Sequence, residues 1–158
     1  MPLETTLVIL KPDAYVRGLM GEITTRFEVK GLRLVGCKLV VLDDETLAEH
    51  YSHLADRPFF PRIASYMKSG PVLLQAWQGL DAVEVVRQMV GSTNSRVADV
   101  GSVRGDLAMS VQANAVHASD SVESASLELL RFFEPGEIVD ALDPLQSFRY
   151  SADEIDGS

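Results

Sequence analysis

The segment Asn114-Ala115-Val116-His117-Ala118-Ser119-Asp120-Ser121 joins a short apolar strand to the last long helix that the sequence predicts. Asp120 suits the N-cap of that helix, with Glu123 as its capping-box partner three residues later. Helix N-termini favour anions through free amide N–H groups and the helix dipole. His117 is therefore a candidate imidazole for accepting and holding a phosphoryl group. The alternative is an ordinary loop histidine.

Outward from this segment, strands alternate with helices. Apolar patterning predicts strands at 5–10, 32–42, 72–78 and 115–116 and helices at 19–30, 46–54, 63–68, 82–90 and after Ser121. Gly31 is expected to end the first helix. Residues 91–112 have weak periodicity and are predicted to form a long loop. Strands separated by helices indicate an α/β (α+β) protein with a split β-α-β sheet of the ferredoxin-like kind.

Length and composition favour one domain. The chain has 158 residues, of which 46% are hydrophobic, and Cys37 is its single cysteine. We expect one domain over 1–150 and an acidic, disordered tail over 151–158. Neither a membrane span nor a basic N-terminal leader is evident, so no membrane association and a cytoplasmic location are expected.

The net charge of −9 argues against binding of nucleic acid through a basic face. The charge is uneven, because residues 134–158 hold seven acidic side chains and one basic side chain. The remainder of the chain is much less acidic, so the net charge does not argue against binding of an anionic ligand there.

Cations and neutral donors recur at the predicted ends of elements and in loops. They are Lys11, Arg57, Arg87, Arg104, Tyr51, Thr93 and Asn114. Such side chains together suit a phosphate chain, although each alone is also explained by an exposed or core position. The sequence has no Walker A motif and no glycine-rich kinase loop. A phosphate site must therefore be built in another way.

Several ordered stretches resemble the nucleoside diphosphate kinase family over about residues 5–140. They are Thr6 to Asp13, Arg17 to Ile23, Arg57 to Phe60, Ser69 to Val72, Val103 to Asp106 and Asn114 to Ala125. The Asn-x-x-His-x-Ser-Asp-Ser core is the most specific of them. The resemblance implies a ferredoxin-like βαββαβ sandwich with a four-stranded antiparallel sheet and surrounding helices.

The resemblance also implies an activity and a catalytic group. Family enzymes move the terminal phosphoryl group of a nucleoside triphosphate to a nucleoside diphosphate in two half-reactions. His117 is then the nucleophile through Nδ1, Glu128 orients it, and Ser119 is the small polar neighbour. Lys11 is implied in both catalysis and binding.

The same resemblance implies how the nucleotide is bound. The implied phosphate contacts are Lys11, Tyr51, Arg87, Thr93 and Arg104. Asn114 with Lys11 matches the ribose contacts, while Phe59 and Val111 form a slot for any base. Mg²⁺ is expected to arrive with the phosphates and to have no direct protein ligand, with Asp120 contacting it through water.

The family further implies a homo-oligomer. The apolar spacing of the tail is consistent with a segment that wraps a neighbouring subunit. Continuation of the tail beyond Phe133 favours a hexamer, with tetramer or dimer as alternatives. The chain departs from the family pattern at Ser95, Val100, Leu107, Ala113 and Ala118. Two competing classes are a non-enzymatic regulator on the same fold and a DNA-binding protein, which the charge disfavours. An intact set of family residues favours the enzyme.

Overall fold

One four-stranded sheet forms the centre of the computed structural model, which describes residues 3–140 and 142–156. Its strands are β1 (Glu4–Leu10), β2 (Arg33–Val40), β3 (Val72–Gly79) and β4 (Val116–Ala118). They lie in the order β2-β3-β1-β4, and every neighbouring pair is antiparallel. The predicted fold class is confirmed.

Helices connect and cover the strands. They are α1 (Pro12–Val16), α2 (Met20–Lys30), α3 (Asp44–His50), α4 (Phe60–Met67), α5 (Ala82–Val90), α6 (Val103–Leu107), α7 (Val122–Phe132), α8 (Gln146–Arg149) and α9 (Ala152–Asp156), with a 3₁₀ helix at Ser95–Val97. Within the described ranges, none of these helices has the length and apolar character needed to span a bilayer.

Strand β1 is buried on both faces. Val8 and Leu10 pack with apolar residues of α2 and α5, whereas Leu7 and Ile9 pack with those of α3, α4 and α7. All four side chains are fully buried. Because both faces are covered, β1 is a continuous apolar run rather than an alternating one. Its end is held beside β4, where Leu10 pairs with Val116.

Local capping explains where several helices begin and end. Gly31 ends α2 with φ of 108°, as predicted. Helix α3 begins before the predicted start because the Asp43 carboxylate accepts a hydrogen bond from the Thr46 N–H at 2.8 Å. Helix α4 also begins earlier, at Phe60, since Pro61 is tolerated in a first turn.

The predicted N-cap of α7 is wrong. The cap is Ser121, whose Oγ accepts a hydrogen bond from the Ser124 N–H at 3.0 Å. Asp120 lies one residue too early, so Glu123 is not its capping-box partner. Asp and Ser are equally good N-caps, and the extended backbone at Ser121 decided between them.

The predicted long loop at residues 91–112 contains two short helices. The Asn94 side chain caps the 3₁₀ helix by accepting from the Arg96 N–H at 3.2 Å. The Ser102 hydroxyl caps α6 by accepting from the Gly105 N–H at 3.1 Å. Apolar periodicity missed both helices because capping, rather than a long apolar face, defines them.

The C-terminal segment also contains helices that were not predicted. Helix α9 occupies part of the tail that was expected to be disordered, while residues 157 and 158 lie outside the described residues. Tyr150 Oη accepts a hydrogen bond from the Leu80 N–H at 3.2 Å, so the segment before α9 contacts the end of β3. The division into a domain at 1–150 and a tail at 151–158 stays a prediction.

Candidate active site

His117 lies on β4, opposite Ile9 of β1. Its Nε2 is 2.9 Å from Oε2 of Glu128 on α7. An ionised carboxylate only accepts hydrogen bonds, so the ring donates through Nε2 and keeps a lone pair on Nδ1. The His117 side chain is 23% exposed and that of Glu128 is 12% exposed. This free ring nitrogen is therefore held in a partly sheltered position that a ligand can reach.

Ser119 reinforces this arrangement from the interior. Its hydroxyl donates to the same Oε2 of Glu128 at 3.0 Å, and its side chain is fully buried. Burial by itself raises the pKa of Glu128, but the hydrogen bond and the electrostatic effect of His117, together with the hydrogen bond from Ser119, outweigh it and lower the pKa. Glu128 is consequently ionised at neutral pH.

Lys11 follows β1 directly. Its Nζ donates to Oδ1 of Asn114 at 2.7 Å and to the Gln112 carbonyl at 3.3 Å. Burial and the charge of Arg104 lower the pKa of Lys11 to about 8, against the opposing effect of Asp13. Lys11 is thus a desolvated cation whose charge changes near physiological pH.

Arg104 lies on α6, inside the segment that was predicted as a loop. Its guanidinium donates to the carbonyls of Gly91 at 2.9 Å and Val116 at 2.6 Å. Burial and the nearby Arg87 lower the pKa of Arg104 to about 10. The repulsion between these two cations favours an anion beside them.

One cavity of about 650 Å³ contains most of the predicted site. The predicted residues in its wall are Lys11, Tyr51, Arg87, Thr93, Arg104, Val111, Asn114, His117, Asp120 and Glu128. Ser119 is buried and acts on the cavity through Glu128. Residues from distant parts of the chain therefore meet at one site.

Phe59 lies beside this group, in a smaller neighbouring cavity of about 310 Å³. The two cavities share Lys11, Tyr51 and Val111. Phe59 is 41% exposed and Val111 is 50% exposed, so both residues can contact a ligand. The two predicted sides of the base slot thus line the same cavity.

Sequence reasoning missed His50, which ends α3 and lines the larger cavity. The ring centroids of His50 and His117 are 4.8 Å apart, at 81°. The Nδ1 atom of His50 lies 3.1 Å from a guanidinium nitrogen of Arg131, which donates to it. Burial first, and then the neighbouring His117 and Arg131, lower the pKa of His50 to about 3. It is a neutral imidazole beside His117, and no local motif in the sequence indicates it.

Asp120 adds a carboxylate to the cavity wall. Hydrogen bonding from the Ser124 side chain and the charge of Arg87 lower its pKa. Among residues 3–140 and 142–156, no three His, Cys, Asp or Glu side chains cluster as a metal site. A divalent ion in this cavity would need most of its ligands from a bound substrate and water.

Comparison with known proteins agrees with this geometry. The sequence model of the nucleoside diphosphate kinase family matches residues 4–138. A nucleoside diphosphate kinase of Parabacteroides distasonis is 58% identical over 138 residues, which are 87% of this chain and 90% of the relative. Nucleoside diphosphate kinase A of Rattus norvegicus is 46% identical over 147 residues, covering 93% and 97% of the two chains.

Solved structures give the same result. The halophilic nucleoside diphosphate kinase from Halobacterium salinarum in complex with CDP has a TM-score of 0.90 and 40% identity. That match covers 93% of this chain and 98% of the Halobacterium chain. The chain belongs to the nucleoside diphosphate kinase family.

Proposed function

We propose that His117 carries the phosphoryl group in a nucleoside diphosphate kinase reaction catalysed by this chain, a phosphotransferase of that family. The observation that supports this most is the 2.9 Å contact from His117 Nε2 to Glu128, which leaves Nδ1 as the nucleophilic atom. Its place in a cavity with Lys11 and Arg104 supports attack on a polyanion.

In the first half-reaction, the Nδ1 lone pair attacks the terminal phosphorus of a nucleoside triphosphate. The N–P bond forms as the P–O bond to the diphosphate breaks, and the electron pair leaves on the diphosphate oxygen. The ring keeps its Nε2 proton, and Glu128 stabilises the positive charge that develops on the imidazole. A nucleoside diphosphate then reverses the same step, which gives ping-pong kinetics.

The cations of the cavity stabilise the charge on the transferring group and the leaving oxygen. Arg104 and Arg87 are placed for this role, and the Lys11 ammonium adds a point charge. Tyr51 and Thr93 supply neutral donors in the same wall. Because hydrogen bonds already hold Lys11 and Arg104, these two cations need little rearrangement during transfer.

The ribose and the base of the nucleotide contact different residues of the site. Asn114, which Lys11 holds at 2.7 Å, contacts the ribose hydroxyls together with that lysine. The base lies between Phe59 and Val111. Stacking on an aromatic ring contributes about 1–3 kcal/mol and accepts every base, which supports broad base specificity.

Mg²⁺ fits this site as part of the nucleotide complex. Glu128 is engaged by His117 and Ser119, so Asp120 remains as the cavity carboxylate for a water-mediated contact. The ion would neutralise phosphate charge and fix the phosphate conformation.

We also propose that this chain forms a homohexamer and is located in the cytoplasm. Leu142 is 98% exposed and Phe148 is 85% exposed, which supports burial of the tail against another copy. Light scattering with size-exclusion chromatography distinguishes a hexamer from a tetramer or dimer. The single cysteine, Cys37, fits a reducing compartment.

Labelling with Mg²⁺ and γ-labelled ATP tests the function. The protein should acquire acid-labile, alkali-stable label that GDP removes, and His117→Ala should abolish it. Lys30→Ala, at an exposed residue that ends α2 and does not line the cavity, is the control that should retain label. Turnover of His117→Ala at the parent rate would contradict the proposal, and nucleotide binding without label would favour a non-enzymatic regulator.

A further inference from the structure

Ala115 has a strained backbone between two residues of the cavity. Its φ is 70°, and the Val116 N–H donates to the Asn114 carbonyl at 2.9 Å, which closes a γ-turn. A positive φ in such a turn is unfavourable for a residue with a Cβ. Ala115 is fully buried, so surrounding contacts must hold this conformation. The turn sets the positions of Asn114 and His117.

The beginning of α1 holds both backbone polar groups of Ala115. Its N–H donates to Oδ2 of Asp13 at 3.0 Å, and its carbonyl accepts from the Lys11 N–H at 2.9 Å. A hydrogen bond to a carboxylate is stronger than one between neutral amide groups. Asp13 therefore supplies the stronger of the two contacts that offset the strain.

The other carboxylate oxygen of Asp13 accepts a hydrogen bond from Oη of Tyr66. Tyr66 lies on α4 and lines the smaller cavity. Burial and Asp13 raise the pKa of Tyr66, so its hydroxyl remains a donor. The chain of contacts Tyr66–Asp13–Ala115 thus runs from the proposed base slot to the turn before His117.

We propose that Asp13 is a positioning residue for the strand that carries His117, and that Tyr66 orients the Asp13 carboxylate. Both act through Ala115 and leave the reacting atoms to other groups. Without this contact, the turn relaxes and His117 shifts relative to Arg104. A misplacement of about 1 Å can cost on the order of 10²-fold in rate. The inference rests on the proposed role of His117.

Steady-state phosphate exchange with ATP and a diphosphate acceptor tests the inference. Asp13→Asn keeps an acceptor oxygen for the Ala115 N–H, but it loses the negative charge that strengthens this bond and places an NH2 group where Tyr66 donates. We expect kcat to fall about 10-fold or more with KM within about twofold, because positioning rather than binding is lost. Tyr66→Phe should lower kcat less. Tyr15→Phe, at an exposed tyrosine of α1, is the matched control and should match the parent.

Rescue by glycine distinguishes positioning from general damage to the fold. Glycine adopts positive φ without the steric penalty, so Ala115→Gly no longer needs the Asp13 contact. Adding Ala115→Gly to Asp13→Asn should restore most of the lost kcat. A kcat of Asp13→Asn within twofold of the parent would overturn the inference, as would a loss that Ala115→Gly leaves unchanged.

Two further readouts keep the outcome decisive. Thermal unfolding of every variant shows whether it folds. If Asp13→Asn does not fold, the kcat of Tyr66→Phe, measured with and without Ala115→Gly, tests the inference instead. A drop in kcat that the glycine reverses supports the inference, and an unchanged kcat overturns it. Phosphohistidine formation by the parent protein is measured separately. If the proposed function is wrong, the parent protein forms no phosphohistidine. If only this inference is wrong, the parent protein still forms it.

Discussion

The Oε2 atom of Glu128 accepts hydrogen bonds from both His117 and Ser119, at 2.9 and 3.0 Å. Two donors on one oxygen fix the carboxylate, and the fixed carboxylate then selects the tautomer of the imidazole. Because Ser119 is fully buried, it holds this arrangement without competing for the ligand.

Replacing Glu128 by glutamine should slow phosphoryl transfer. The amide oxygen can still accept from His117, but the negative charge that stabilises the developing imidazolium is gone. We expect kcat to fall about 10- to 10²-fold in Glu128→Gln. Single-turnover labelling with Mg²⁺ and ATP measures this, with Glu123→Gln, at an exposed position of α7, as control. Equal rates in the two variants would contradict the role of Glu128.

Activity should fall as the pH rises through about 8. Lys11 has its pKa lowered from 10.5 to about 8, so it carries its charge below that pH and loses it above. Loss of the charge weakens phosphate binding, which predicts an alkaline limb in kcat/KM for the free enzyme. Lys11→Arg remains charged and should move this limb to higher pH even if its overall rate is lower. If kcat/KM of Lys11→Arg decreases over the same alkaline pH range as that of the parent, the decrease arises from another group.

Folding stability should fall as the pH drops below about 6.5. His50 has its pKa lowered from 6.5 to about 3, so between these values the unfolded chain binds a proton that the folded chain does not. The free energy of unfolding then decreases toward acid, by about 1–2 kcal/mol between pH 7 and 5. Urea unfolding at several pH values measures this effect. His50→Gln, which keeps an acceptor for Arg131, should reduce the dependence, and Ser126→Ala, on an exposed face of α7, should not.

Removing the Ser95 hydroxyl should destabilise the segment that carries Arg104. Ser95 Oγ donates to the Ser110 carbonyl at 2.8 Å and is 3% exposed, so it ties the start of this segment to its end. Ser95→Ala should lower the free energy of unfolding by about 1 kcal/mol, as measured in urea. Ser126→Ala, on an exposed face of α7, is the control and should change it by less than about 0.5 kcal/mol. Equal effects in both variants would contradict this role.

Much of the fold was predictable because its signals are local. The apolar run of β1 and the glycine that ends α2 are readable from neighbouring residues alone. The 3₁₀ helix at Ser95–Val97 and helix α6 were not predictable, because a single capping bond is the main local evidence for each. The N-cap of α7 shows the limit of local reasoning: Asp120 and Ser121 are both good caps, and the backbone conformation selected Ser121.

The candidate site divides in the same way. The sequence pattern supplied His117 and the scattered cations, and the family resemblance supplied Glu128. The structure brings His117, Glu128, Lys11, Arg87 and Arg104 into one cavity, whereas Arg57 does not line it. The sequence pattern did not reveal His50 or the hydrogen-bonded link from Tyr66 through Asp13 to Ala115. Those contacts join residues far apart in the chain and carry no spacing rule.

The sequence by itself determined the order of the main strands and helices and the chemical groups available for phosphoryl transfer. These depend on periodicity, side-chain chemistry and short motifs. Only the tertiary structure decided which imidazole nitrogen is free, which histidine stays neutral and what holds the strained turn at Ala115. Each of these is set by burial and by hydrogen bonds between distant elements, which exist only once both faces of the sheet are packed.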